Sequence, residues 1–338
     1  MVGLGTSVRN LLGDQDDPTA DDVFEELKNR IIVLNARVWE NRIDWQLVER
    51  WLANFDGSSG LAPDIEKLHA LFLLSQFLYF GSIEIRVLLR ALYRDLVLVP
   101  AIQEVRSING GTRDESLIGR GLQTIFSKTR FLGVGTPSES GVHLLYYFRQ
   151  ENRLKKSQFL DTAQILERDE GSSLGRRIRY ADVKRYIFVD DVCGSGETAY
   201  NYSKDHLEDI RRLDPEAQFF YYSMFAKKDG LELIRKHTAF RNNVAAVFEF
   251  DESYKCLSPS SRYLRVVPPP IDPDTVRHIS IFYGARLLPT DPTGFDDGQM
   301  LIGFHHNTPD NTLPIMWMDP ENDSPVPWCA IFRRYPKA

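Results

Sequence analysis

The chain has 338 residues, 43% apolar and 12% aromatic, enough to bury a sizeable core and too long for one average domain, so two domains are expected. A formal net charge of −6 argues against direct nucleic-acid binding, which calls for a basic balance or stripe. Cys193, Cys256 and Cys329 form no CxxC pair and leave an odd thiol, indicating neither a disulfide framework nor a cysteine zinc site and favouring a reducing, cytoplasmic setting.

The first residues lack the long apolar core of a secretory signal, so no export is expected. From Thr19 the spacing of Val23, Leu27, Ile31 and Leu34 predicts a helix capped by Thr19. A second helix is expected over Ile43 to Phe55. A third should open at Pro63 and Asp64 and run to Gly81. Its apolar part, Leu68 to Phe80, includes His69, Ser75 and Gln76 and is shorter than the roughly 20 residues that span a bilayer, so it reads as a buried helix and no membrane partner is expected. Ser82 can cap a helix over Ile83 to Leu98, with Arg86, Arg90 and Arg94 along a solvated face.

Near Arg130 the pattern changes to strand, loop and helix. Phe131 to Val134 reads as a strand, Gly135 to Gly141 as a turn and Val142 to Gln150 as a helix. The alternation recurs at Tyr186 to Val189, at Phe219 to Ala226 followed by a helix from Gly230, and at Val244 to Phe250. Strands separated by helix-length segments imply a doubly wound, mainly parallel sheet with helices on both faces and a ligand site beyond the strands' carboxyl ends. The proline-rich remainder, from about residue 256, has strand-like runs at Ile279 to Tyr283 and Met300 to Phe304 and is assigned to a C-terminal cap. The expected fold is therefore α/β: an α-helical domain over 1–128, then a sheet domain over 129–338 that includes the cap.

The chemistry concentrates in Tyr186-Ile187-Phe188-Val189-Asp190-Asp191-Val192-Cys193-Gly194-Ser195-Gly196-Glu197-Thr198. Two acids at a strand end can accept hydrogen bonds from vicinal ribose hydroxyls and help hold hydrated Mg2+. Gly194 and Gly196 let the backbone turn so that successive amides, that of Glu197 among them, face a phosphate, while Ser195 and Thr198 add hydroxyls at a helix start. On that reading Gly196→Val abolishes binding and leaves the fold intact. This segment resembles the type I phosphoribosyltransferases, whose signature is an apolar strand, two acids and a small-residue loop ending in threonine before a helix. The resemblance implies that Asp190 and Asp191 contact the ribose hydroxyls of phosphoribosyl pyrophosphate, with its magnesium ion, and that Gly194 to Thr198 hold its 5-phosphate. Phe188, Cys193 and Gly194 depart from the pattern. Gly194 stands where some purine-base enzymes carry an aspartate acting as general base.

The same resemblance implies a pyrophosphate loop after the first strand, where Gly135, Thr136 and Ser138 lie; a plain tight turn is the alternative. Between the two loops, Arg176, Arg177 and Arg179 can form a cationic cover over pyrophosphate or simply a solvated basic loop. In Gly303-Phe304-His305-His306-Asn307-Thr308-Pro309-Asp310-Asn311-Thr312-Leu313-Pro314, neighbouring histidines on a strand would point to opposite faces, which disfavours a zinc site; a hydrogen-bonded structural cap is expected, with one histidine as an acid or base over the ribose pocket the alternative. The layout as a whole resembles the phosphoribosyltransferase-like proteins of prokaryotic conflict systems, including retron loci, which implies a role in antiphage defence. Two readings follow: an enzyme acting at the anomeric carbon of a ribose phosphate, or a non-catalytic sensor of that ligand working through protein partners on the helical domain.

Overall fold

The computed structural model describes residues 18–134, 140–172, 174–322 and 324–335. By contacts the chain forms two compact units, one taking in residues 18–79 and 252–335 and the other 80–251. The change of periodicity near residue 128 suggests a boundary there, but the contacts divide the chain elsewhere. Helices that follow Phe80 pack on the sheet, and the C-terminal segment shares one apolar core with the first helices.

Helix α1 (Ala20–Arg37) opens on a reciprocal cap: the Thr19 hydroxyl accepts the Asp22 amide at 3.2 Å and the Asp22 carboxylate accepts the Thr19 amide at 3.1 Å. Helix α2 (Trp45–Leu52) is capped by Asp44, whose Oδ1 accepts the Leu47 amide at 2.7 Å. Helix α3 (Pro63–Ser75) is buried nearly all round, as its composition predicts, but stops at Ser75. Leu78–Phe80 is a short strand, β1, because the Leu78 amide bonds to the Leu301 carbonyl at 2.8 Å, a tertiary pairing that overrides helical propensity.

In the second unit α4 (Ser82–Ala91) begins at Ser82 itself, with Gly81 at the cap position. It continues through a π-helical stretch, Leu92–Leu98, into α5 (Val99–Ile108). Pro100 brings no N–H to the ladder, and the Val99 amide reaches back five residues to the Arg94 carbonyl. After α6 (Glu115–Ser127) come β2 (Thr129–Gly133), α7 (Ser140–Glu151), the hairpin β3 (Leu166–Arg168) and β4 (Arg176–Ile178), and β5 (Arg185–Cys193). Then follow α8 (Glu197–Tyr202), running through a second π-helical stretch into α9 (Glu208–Leu213), β6 (Gln218–Lys227), α10 (Lys228–His237) and β7 (Val244–Phe250).

Strands β2, β5, β6 and β7 form one sheet in that order, every pairing parallel, with Thr129 opposite Arg185, Arg185 opposite Gln218 and Tyr221 opposite Val244. One face carries Leu132, Tyr186, Phe188, Phe219 and Tyr221, covered by α8, the π-helical stretch Ser203–Leu207, α9 and α10 through Ala199, Leu207, Ile210, Leu231 and Ile234. On the other, Phe131 meets Phe148 of α7 at 5.3 Å and Tyr93 of the π-helical stretch at 6.3 Å. Helices therefore clothe both faces, the doubly wound arrangement expected for strands that are apolar on both sides. The arginine row is not simply solvated. Arg86 bonds Glu151 of α7 at 2.8 Å and lies over the Tyr147 ring, Arg90 approaches the same carboxylate, and exposed Arg94 pairs with its neighbour Asp95.

The C-terminal segment completes the first unit. Ile279 to Tyr283 is not a strand but lies inside α11 (Pro273–Leu287), which starts at an Asp272 cap with proline in its first turn and buries Val276, Ile279, Tyr283 and Leu287 at helical spacing. The run at Met300 to Phe304 yields β8 (Ile302–Phe304), paired with β1. Next comes α12 (Pro314–Trp317), whose Ile315 carbonyl accepts two indole N–H groups, from Trp51 at 2.8 Å and Trp328 at 3.1 Å. Residues 264 positions apart are thus tied through a fully buried ring. Trp51→Ala should cost about 3–5 kcal/mol, the range for removing a buried aromatic side chain. Urea unfolding followed by circular dichroism measures it, and a loss below 1 kcal/mol would contradict this placement of the core (1 kcal/mol being about the average effect of any point change).

Candidate functional site

Strand β5 reaches past the acid pair to Cys193, so Asp190 and Asp191 lie within the strand and not beyond it. Asp190 is cross-strand from Ser223 of β6. Its Oδ1 accepts the Asp191 amide at 2.9 Å and its Oδ2 accepts the Tyr221 hydroxyl at 2.7 Å. Asp191 is almost fully buried, and its Oδ1 accepts the Val192 amide at 2.8 Å. Burial, followed by the charge of Asp191, holds the Asp190 carboxyl well above the usual carboxylate range. Burial and then the Asp190 charge likewise raise the Tyr221 phenol, and burial pushes the Cys193 thiol, which also hydrogen-bonds to Tyr221, up to about 12. Ser223 is fully buried, and its hydroxyl has no hydrogen-bond partner among the described residues.

The loop that follows is fixed by backbone contact. Gly196 adopts φ +83°, in the left-handed region, and a Cβ there would stand 2.6 Å from the Gly230 carbonyl oxygen. A Cβ on Gly230, in the first turn of α10, would stand 2.3 Å from the Gly194 carbonyl oxygen and 3.1 Å from the Cys193 sulfur. The two glycines let the loop and the helix start touch. Ser195 Oγ accepts the Glu197 amide at 3.3 Å, and the Gly196 carbonyl receives the Tyr200 amide at 3.0 Å. Glu197 and Thr198 are exposed, Gly194 and Ser195 partly so. A phosphate here would meet first-turn amides, which lack intrahelical acceptors, together with the Ser195 and Thr198 hydroxyls. Glu197 suits that task least, because its amide is donated to Ser195 Oγ and its carboxylate repels the same anion.

Two adjacent carboxylates fit Mg2+, which keeps several waters and takes one or two acids plus ligand phosphates. Among the described residues no group of three or more His, Cys, Asp or Glu side chains forms a self-sufficient metal cage. Asp190 and Asp191 would be the protein's share, as anchors for a ligand-borne ion.

Gly135, Thr136 and Ser138 lie outside the described residues. The arginines are on the β3–β4 hairpin and are exposed. Arg177 bonds Glu167 at 2.7 Å, Arg179 is 3.9 Å from the same carboxylate, and Arg176 is 4.0 Å from Asp209 of α9. A cleft of about 720 Å³ opens beside Arg176, lined also by Thr162, Tyr202, His206 and Asp209; residues 190–198 do not line it. The basic segment is therefore a salt-bridged hairpin in this structure, and its guanidinium groups are not gathered with the acid pair.

His305 and His306 follow β8 in a bend, so strand alternation does not apply to them: their rings sit 5.0 Å apart and nearly perpendicular, with His306 stacked on Phe304. The segment is densely bonded within its unit. The Phe304 amide donates to the Asn307 carbonyl, Asn307 Oδ1 accepts the Thr308 and Tyr335 amides, and Arg334 joins the Thr308 carbonyl to Asp310. That is the behaviour of a structural cap.

Tyr221, Ser223 and Gly230 were not singled out by the sequence. The one available signal was a glycine in the first turn of a helix following a strand, which hints at close backbone approach. A parallel sheet clothed on both faces, with one strand leading through paired acids into a Gly-Ser-Gly turn and a helix, defines a phosphoribosyltransferase-like α/β protein. The chain belongs to the PRTase-CE family, whose model matches residues 48–334 and so takes in both compact units. No curated protein matches the chain. Among solved structures it is similar to the Helicobacter pylori xanthine-guanine-hypoxanthine phosphoribosyltransferase, at 12% identity and TM-score 0.21 over 47% of this chain and 84% of that one. It is also similar to the orotate phosphoribosyltransferase from Aeropyrum pernix, at 15% identity and TM-score 0.23 over 40% and 73% of the respective chains.

The contact geometry revises the expectation for Gly196→Val. The side chain would meet backbone at a strained φ, so the variant should lose stability as well as ligand, by about 1–3 kcal/mol or more, the usual cost of overpacking. Gly230→Ala should do the same through the opposite partner. Chemical denaturation checks both, and wild-type stability in either variant would mean the loop is not seated on α10.

The acid pair has a pH signature. A folded pKa raised above the unfolded value of about 3.9 stabilises the folded state fully only below that value, and the contribution is lost as pH rises toward the folded pKa. Ligand-free protein should therefore lose stability relative to Asp190→Asn as pH climbs from about 4 to neutrality. Melting temperatures of the two proteins across that interval, without magnesium, give the answer; parallel curves would mean Asp190 is ionised at no cost.

Proposed function

We propose that this protein binds a ribose 5-phosphate ligand such as phosphoribosyl pyrophosphate, with Mg2+, at the end of β5. Asp190 and Asp191 accept from the ribose hydroxyls and share the ion, and the amides and hydroxyls of 194–198 receive the 5-phosphate. The observation that carries this reading is the run from buried acid pair to locked Gly-Ser-Gly turn to helix start, which puts hydroxyl acceptors and an anion nest side by side. When bound, the ion neutralises ligand phosphate charge. The chemistry such a site serves is cleavage or transfer at the anomeric carbon, and the resemblance to conflict-system proteins supports a role in antiphage defence, in the cytoplasmic setting that the cysteine pattern favours. No helix among the described residues is long and apolar enough to cross a membrane. The sensor reading draws on the arginines, each within 4.0 Å of a carboxylate on the hairpin or α9. On that reading ligand occupancy alters contacts with protein partners.

Titration calorimetry with phosphoribosyl pyrophosphate and magnesium should show saturable binding that Asp190→Asn with Asp191→Asn abolishes. Unchanged binding in that double variant would overturn the assignment. Pyrophosphate release then separates the two readings: replacing Arg176, Arg177 and Arg179 with alanine lowers turnover more than affinity in an enzyme, whereas a sensor releases no product at any stage.

A further inference from the structure

The proposed site depends on a carboxylate that leans on a tyrosine from the next strand. Tyr221 is almost fully buried, packed against Phe240 at 5.6 Å, and its hydroxyl points along the sheet to Asp190 Oδ2 at 2.7 Å. With Oδ1 held by the Asp191 amide, the carboxyl of Asp190 is bonded from two directions, which fixes the plane in which its remaining lone pairs lie. Ser223, directly cross-strand from Asp190, is the other hydroxyl within that register. It is fully buried and has no hydrogen-bond partner among the described residues, so Asp190 bonds Tyr221 while a cross-strand donor stands unused. An unsatisfied buried hydroxyl calls for a physical reason. Asp190 is thus committed to Tyr221 and leaves the hydroxyl cross-strand from it unengaged.

Resting on the ribose-phosphate reading above, we infer that Tyr221 is a positioning residue that sets the selectivity of the site for a ligand bearing both ribose hydroxyls. It touches no ligand itself. It aims the Asp190 carboxylate at a vicinal hydroxyl pair, and without it Asp190 turns toward Ser223 and the hydroxyls lose one acceptor. Tyr221→Phe removes only the hydroxyl and keeps the ring against Phe240.

The test compares ribose 5-phosphate with 2-deoxyribose 5-phosphate, both with magnesium, on the full chain. Wild type should prefer the ribose form. In Tyr221→Phe the affinity for ribose 5-phosphate should fall about tenfold or more, in keeping with one hydrogen bond to a charged group, while that for the deoxy ligand stays within about twofold. A merely structural role would weaken both ligands by one factor, and that result, or wild-type affinity for both, would overturn the inference. In a double-mutant cycle Tyr221→Phe should cost nothing further once Asp190→Ala is present, because its effect runs through that carboxylate. Should the single variant not fold, the Asp190→Ala background, which leaves no unbonded charge, supplies folded protein, and a further loss there rejects the inference. If wild type binds neither sugar phosphate, the ribose-phosphate reading itself fails, a result distinct from equal losses in Tyr221→Phe.

Discussion

The contact between two stretches of backbone, Gly194 to Gly196 and the first turn of α10 at Gly230, is the constraint on which the site depends. Each glycine's missing Cβ is the space the other segment's carbonyl occupies, with separations of 2.6 and 2.3 Å to the positions a side chain would take. Strand β5, its loop and α8 are thereby locked to the end of β6, because α10 begins where β6 stops at Lys227. An anion nest needs amides that converge without reorganising on binding, and a loop braced by backbone supplies that better than one braced by flexible side chains. The same contact explains why small residues are required here: backbone occupies the space that their side chains would need.

A second constraint is electrostatic. A strand buried on both faces carries two acids three and two residues before its end at Cys193, Asp191 almost fully buried and Asp190 partly so. Adjacent buried carboxylates repel, and the structure meets that repulsion locally: each accepts the amide of the residue after it, and Asp190 also takes the Tyr221 hydroxyl. On the proposed reading, a ligand offering hydroxyls and a divalent cation offsets the remaining repulsion between the two acids.

The sheet was legible because parallel strands covered on both sides are continuous apolar runs, and β7 falls over Val244–Phe250 as its composition suggests. The Thr19 cap was legible for the same kind of reason, since it is local. What could not be read is what depends on partners distant in the chain. The first unit joins the N-terminal helices to a segment beginning at Glu252, and no local pattern announces that Trp51 will donate to Ile315. Ile279 to Tyr283 reads as a strand from its apolar and aromatic content, although Asp272 and Pro273 just upstream are a helix start. Strand alternation failed at His305 and His306 because β8 ends at Phe304, where the chain bends back to Asn307. The acid pair and loop were visible as a motif; Tyr221 was not, since in sequence it is one apolar residue among several in β6.

Enzyme and sensor differ here in where their charges must sit at the moment of action. Both proposed readings call on the acids and the loop to hold the ligand in its ground state. Only catalysis also needs cations over the departing pyrophosphate, where charge develops. The candidate cations lie on a hairpin that already satisfies them: Glu167 engages Arg177 and Arg179, and Asp209 faces Arg176. Exposed ion pairs of this sort are each worth no more than about 1 kcal/mol, so a doubly charged phosphate could draw the guanidinium groups away at little cost. The hairpin's salt bridges therefore do not bar catalysis. On the proposed enzyme reading, turnover would then require the hairpin to close over bound ligand, and a protein in which that closure is not completed would retain binding and lose turnover, which is the physical content of the sensor reading.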